Sequence, residues 1–130
     1  MPRRELTSHK INGANGDLDV HVMDDPGPGG ACRHYRATFA NVPGGPDAEV
    51  FSGYLSLVFQ SGDPAVVGTN GLTHEALLAV LIDRLQGFQA GTFACRENAI
   101  ALTKLQEALM WLKSRTEARL ARGVEGTLTP

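Results

Sequence analysis

Trp111, Arg115, Arg119 and Arg122 recur at i, i+4, i+8 and i+11. On a helix that spacing sets one indole and three guanidinium groups along one side. Arginine grips phosphate oxygens in pairs and stacks on aromatic planes, so such a row suits a compact phosphorylated ligand carrying a base. The competing reading is a solvated helical face, balanced in part by Glu107 and Glu117. Phe88 and Asn98 fall near the turn between two expected helices, and Asn98 lies 17 residues before Arg115, about 25 Å along a helix. A site that uses both ends must be completed by a second copy of the chain.

Patterns for catalysis are missing. The sequence holds no G-x-S-x-G, H-E-x-x-H or P-loop, and no G-x-G-x-x-G between a strand and a helix, so no enzyme is expected. His9, His21, His34 and His74 are scattered, and His74-Glu75 has no second ligand at i+4; all four read as surface or capping residues, with no metal or cofactor expected. Cys32 and Cys95 are too few and too far apart for a disulfide framework or a C-x-x-C site and read as reduced thiols. A helix start followed by Arg96 would activate the Cys95 thiol, but a small packing residue is the plainer reading.

The elements that must position these groups follow from a change in composition near Asn70. Ten of 15 glycines and six of seven prolines lie at or before it, and Ala and Leu dominate beyond it. Asp17 to Met23 alternates polar and apolar, the period of a strand that buries Leu18, Val20 and Val22. Ala31–Phe39 and Glu49–Gln60 carry further strand content, punctuated by Asp25-Pro26-Gly27-Pro28-Gly29-Gly30 and Pro43-Gly44-Gly45-Pro46. The expectation is an antiparallel meander of about four strands. Thr73 then caps a helix to about Ala90, with Gly91 as its C-terminal stop and Thr92 starting the next. From Phe93 to Arg122 no Gly or Pro intervenes, which predicts a helix of roughly 45 Å ended by Gly123. Leu102, Leu105, Leu109 and Leu112 form its apolar stripe, widened by Ala101 and Ala108. The fold class is therefore α+β: a tail at 1–8, a small β unit at 9–68, a two-helix hairpin at 69–123 and a tail at 124–130. Two helices cannot cover so wide an apolar arc, so an oligomer is expected.

The 12 basic and 14 acidic side chains give a charge of −2, and 42% of residues are hydrophobic. That balance does not favour DNA or RNA polymers and provides enough apolar material for a core. No stretch approaches the roughly 20 apolar residues of a membrane span, and no apolar signal core follows Met1-Pro2-Arg3-Arg4-Glu5, so a soluble intracellular protein is expected.

Several stretches resemble the first family of phage Thoeris anti-defence proteins. They are His9-Lys10-Ile11-Asn12-Gly13, Asp24-Asp25-Pro26-Gly27-Pro28-Gly29-Gly30-Ala31, Phe59-Gln60-Ser61-Gly62, Asn70-Gly71-Leu72-Thr73-His74-Glu75-Ala76-Leu77-Leu78, Phe93-Ala94-Cys95-Arg96-Glu97-Asn98-Ala99 and the terminal Arg122-Gly123-Val124-Glu125-Gly126-Thr127. The hairpin also resembles phage sponges that sequester cyclic oligonucleotides of the CBASS defence system. The resemblance implies a sponge that binds the TIR-derived messenger glycocyclic ADP-ribose without degrading it, in the cytoplasm of the infected bacterial host. It implies that Phe88 of Phe88-Gln89-Ala90-Gly91 stacks on a base, that Asn98 contacts the ligand, and that Arg115 and Arg119 read phosphates. It further implies dimers that assemble into hexamers, as trimers of dimers, and a second pocket for cyclic trinucleotides, for which Thr73 and Arg96 are the candidates. The alternative from another class is a structural or regulatory hairpin oligomer that binds a protein partner through its leucine stripe.

Overall fold

The alternation Leu18-Asp19-Val20-His21-Val22 does form a strand, β2, and it organises the first of two units, Met1–Ser61 and Gly62–Pro130. The computed structural model describes residues 3–40 and 52–123. In the first unit, β1 (Arg4–Leu6), a short helix α1 (Gly13–Gly16), β2 (Leu18–Val22), a 3-10 turn (Pro28–Gly30), β3 (His34–Ala40) and β4 (Ser52–Val58) follow in order. The strands form one antiparallel sheet in the order β1-β2-β3-β4. The expected meander is thus present, with β1 inside the span read as a tail. Three residues are too few to show an alternation, and β1 is held as a strand by its pairing with β2. The Pro43–Pro46 connection and the tail 124–130 lie outside the described residues.

Directly opposed residues of an antiparallel sheet share a face. Leu6, Val20, Ala37 and Leu55 therefore make one apolar row, and Val22, Tyr35 and Leu57 the next. Val22 is 0% exposed, and the Tyr35 ring meets Phe59 edge-on at 5.7 Å. The opposite face is polar, with Glu5, His21, Arg36 and Ser56 in register. The loop between β2 and β3 is closed by Asp24, whose carboxylate accepts from Arg33 N at 2.9 Å and His34 N at 3.1 Å. The bond from Arg33 is the main reason the carboxyl sits below its ordinary pKa, and the bond from His34 adds to it against the opposing effect of desolvation. Within that loop Gly29 and Gly30 take φ of 82° and 91°, values that side chains with a Cβ rarely adopt.

The second unit starts with α2 (Pro64–Val67), capped by Asp63, whose carboxylate accepts from Ala65 N at 2.9 Å. The second unit thus includes this short helix ahead of the hairpin. Then come α3 (His74–Gln89) and α4 (Arg96–Arg122). Thr73 caps α3 as expected, its hydroxyl accepting from Ala76 N at 3.1 Å. Gly123 ends α4 in the left-handed conformation with φ 72°, the αL helix stop. The turn between the helices is longer than expected. Ala90 rather than Gly91 is the C-cap of α3, and α4 starts at Arg96 with Cys95 as N-cap. Helix propensity extends to Phe93, but the chain needs several non-helical residues to reverse direction. Among the described residues no helix is long and apolar enough to cross a membrane.

On α4 the half-buried or buried positions include Asn98, Leu102, Leu105, Leu109, Leu112, Thr116 and Arg119; on α3 they include Glu75, Leu78, Ile82, Leu85 and Gln89. Both sets alternate three and four, the spacing of a left-handed seam. The helices pack on one another along these faces. Thr116 Oγ1 donates to Glu75 Oε1 at 3.2 Å, which joins the late part of α4 to the start of α3 and makes the pair antiparallel. Ile82 is buried at the middle of the seam.

Candidate functional site

The tip of the hairpin is built around Gln89. Its amide donates to Cys95 O at 3.1 Å and its Oε1 accepts from Cys95 N at 3.0 Å, so one side chain closes the turn as a strand partner would. Cys95 in turn caps α4, its sulfur accepting from Asn98 N at 3.4 Å. These contacts fix Phe88, one residue before Gln89, and Asn98, three residues after Cys95, at the same end. Phe88 is half-buried, packed edge-on against Phe93 at 6.2 Å. The Arg84 guanidinium lies over the Phe88 ring at 5.0 Å. Phe93 itself is 73% exposed. The tip therefore offers aromatic surface, an arginine and an asparagine amide, a set that can stack on a base and hydrogen-bond its edge. Arg84 and Phe93 were not singled out from sequence. The signal for Arg84 was its i−4 spacing to Phe88, which places the two side chains one turn apart.

Arg115 and Arg119 sit near the other end of α4. They differ from the sequence expectation of one continuous row: Trp111 is 69% exposed and Arg115 is exposed, whereas Arg119 is only 6% exposed and continues the seam that Asn98 begins. The reason is geometric. Steps of four advance about 40° around a helix, so by Arg119 the row begun at Trp111 has turned roughly 80°. Arg122, in the last turn with Arg119, faces the carbonyl end of α4, where a cation is favoured.

The tip group of Phe88, Arg96 and Asn98 and the far group of Arg115 and Arg119 are not brought together within one chain. Thr73, as N-cap of α3, belongs with the far group because Glu75 and Thr116 are bonded; Arg96 opens α4 at the tip. The two residues read as a second pocket thus also stand at opposite ends of the hairpin. A shallow concavity of about 290 Å³ on α4, lined by Ala99, Ile100, Thr103 and Lys104, includes none of the six candidate residues. Among the described residues no group of His, Cys, Asp and Glu is placed to hold a metal ion.

Comparison with known proteins bears on this hairpin directly. Residues 56–117 match the model of the Acb2/Tad1 hairpin domain. Over 78 residues, 59% of this chain and 55% of the relative, the sequence is 56% identical to Thoeris anti-defense 1 from Bacillus phage SBSphiJ7. The chain spans little more than half the length of that protein.

Proposed function

We propose that this chain, which carries the Acb2/Tad1 hairpin domain over residues 56–117 and is related to a phage Thoeris anti-defence protein, is itself a phage anti-defence sponge. It binds the TIR-derived messenger glycocyclic ADP-ribose in the cytoplasm of the infected bacterium and withholds it from the Thoeris effector without cleaving it. No cofactor takes part. The observation that carries this reading is the division of the candidate residues between the two ends of one long hairpin. Phe88 and Asn98 at the tip of one copy meet Arg115 and Arg119 at the far end of another, so that base and phosphates are read by different chains.

Self-association follows the same logic. Ile100, Met110 and Trp111 stand exposed on α4, and a second copy that covers them removes apolar surface from water while completing the site. Dimers of this kind, assembled three at a time into hexamers, also give Thr73 and Arg96 of different copies the chance to form the second pocket, with cyclic trinucleotides as its ligands. Nanomolar capture needs about 12 kcal/mol, and stacked rings with desolvated arginines are the groups that contribute most to tight recognition.

The test is recovery. Messenger incubated with the protein and released by heat should return chemically intact, whereas hydrolysis would give a product of different mass. Phe88→Leu keeps most of the apolar volume and removes the aromatic plane, so it should weaken binding about tenfold while it still folds, as stacking contributes about 1–3 kcal/mol. Full affinity in Phe88→Leu would remove Phe88 from the site, and a mass of one chain in solution would remove the shared pocket.

A further inference from the structure

Among the described residues, the polar face of the sheet holds a cation without a counter-charge. Arg36, at the centre of β3, faces His21 on β2 and Ser56 on β4 in direct register. Tyr54, diagonal to it and 63% exposed, carries the guanidinium over its ring at 4.6 Å. Two carboxylates share this face, Glu5 and Asp19, and Lys10 takes both, at 3.8 Å and 2.6 Å. The hydrogen bond in the closer pair raises the lysine and lowers the aspartate, so Asp19 is committed to Lys10. Among the described residues no carboxylate is left for Arg36.

Part of this half-buried group is closed off from water. Arg36 Nε and His34 Nε2 are both buried and have no hydrogen-bond partner. Buried polar nitrogens without a hydrogen-bond partner are rare because each forfeits its hydration for nothing. His34 is two residues from Arg36 on the same strand and so lies on the same face. One arginine, two imidazoles and the Ser56 hydroxyl therefore share a face that has no free acid among the described residues. A fully solvated arginine would not leave its Nε buried and without a partner.

We propose that this face binds the terminal phosphoryl group of a small phosphate monoester, with Arg36 as the principal contact and His34, His21 and Ser56 around it. A tetrahedral dianion has enough oxygens to satisfy the guanidinium fork and the neighbouring donors together, which a planar carboxylate does not. Tyr54 keeps the guanidinium plane oriented, and its exposed ring can swing aside to admit the oxygen without disturbing the apolar face. The site lies wholly within the first unit and uses none of the hairpin residues, so it stands or falls independently of the messenger reading.

The experiment uses the full chain with inorganic phosphate, 5′-AMP, adenosine and a single-stranded oligodeoxynucleotide that has only internal phosphodiesters, at constant ionic strength. The resonance of Arg36 Nε–H reports on the site in the parent, and the backbone amide shifts of His21 and Ser56, directly opposite it, report on it in every variant. Inorganic phosphate and AMP should shift these in a saturable manner; adenosine and the oligonucleotide should not. Arg36→Gln should weaken the phosphate effect at least about tenfold, and Arg36→Lys, which keeps the charge but loses the planar fork, should still weaken it severalfold. Lys113→Ala, on α4, should leave it unchanged. The proposal is overturned if chloride at equal ionic strength reproduces the shift, if Arg36→Lys melts with the parent and binds phosphate as well as it does, or if adenosine or the oligonucleotide saturates the face while phosphate does not.

Discussion

Replacing Gln89 by alanine tests whether one side chain holds the hairpin tip in its working shape. Two hydrogen bonds to Cys95, at 3.1 and 3.0 Å, disappear. Both are exposed, so water takes over the freed backbone groups and the loss stays near the lower end of about 0.5–1.5 kcal/mol for each bond, about 1 kcal/mol together. For a unit of this size that corresponds to a melting temperature lower by about 4–8 °C. Gln89→Glu sharpens the argument. The carboxylate still accepts from Cys95 N but has no proton for Cys95 O, and it adds negative charge to the last turn of α3, where the helix carbonyls already concentrate it. The glutamate variant should therefore be no more stable than the alanine variant despite its nearly identical shape. Thermal denaturation gives the stability, and exchange of the Cys95 amide proton reports the clamp. If Gln89→Ala melts with the parent and that amide exchanges at the parental rate, or if Gln89→Glu matches the parent, the clamp does not hold the tip.

Two further outcomes follow from particular contacts. Arg119→Ala should lower stability by about 1–3 kcal/mol because its stem and head are packed in the seam, whereas Arg115→Ala should melt within a degree or two of the parent; chemical denaturation of both decides, and the reverse order would refute the placement of Arg119. Because the Asp24 pKa is lowered in the folded chain, the stability it contributes is present above the ordinary carboxyl value of 3.8 and is lost as the pH falls through the depressed folded value. Asp24→Asn should thus be less stable than the parent near neutrality, and the gap should narrow as the pH falls below 3.8, as followed by near-ultraviolet dichroism during melts; a gap that stays constant through acid pH would refute the linkage.

Where side chains repeat with a strong period, the sequence was legible. Leu18, Val20 and Val22 announced β2 by alternation, Thr73 and Gly123 marked helix ends through their cap chemistry, and the leucines of α4 marked the seam. The parts that were not legible depend on tertiary pairing. Arg4–Leu6 is a strand only because β2 is beside it, and the start of α4 at Arg96 is set by the space the chain needs to turn. The candidate site divides in the same way. Phe88 and Asn98 fall together because both flank the tip, but no period reveals that Arg119 turns into the seam while Arg115 stays outside, since that depends on where the partner helix lies. Arg84 over Phe88 was readable in principle from i,i+4 spacing and was hidden among other charges on the face of α3.

The separation of tip and far end along α4 has a genetic consequence. If each pocket takes Phe88 and Asn98 from one copy and the arginines from another, a chain defective only at the tip and a chain defective only at the far end are complementary alleles. In a mixed dimer both lesions fall into one pocket and the other pocket is assembled entirely from intact halves. Random mixing of equal amounts makes half the dimers mixed, so about a quarter of all pockets should regain parental affinity although neither parent chain binds. Co-expression of the two alleles would then restore binding that neither achieves alone.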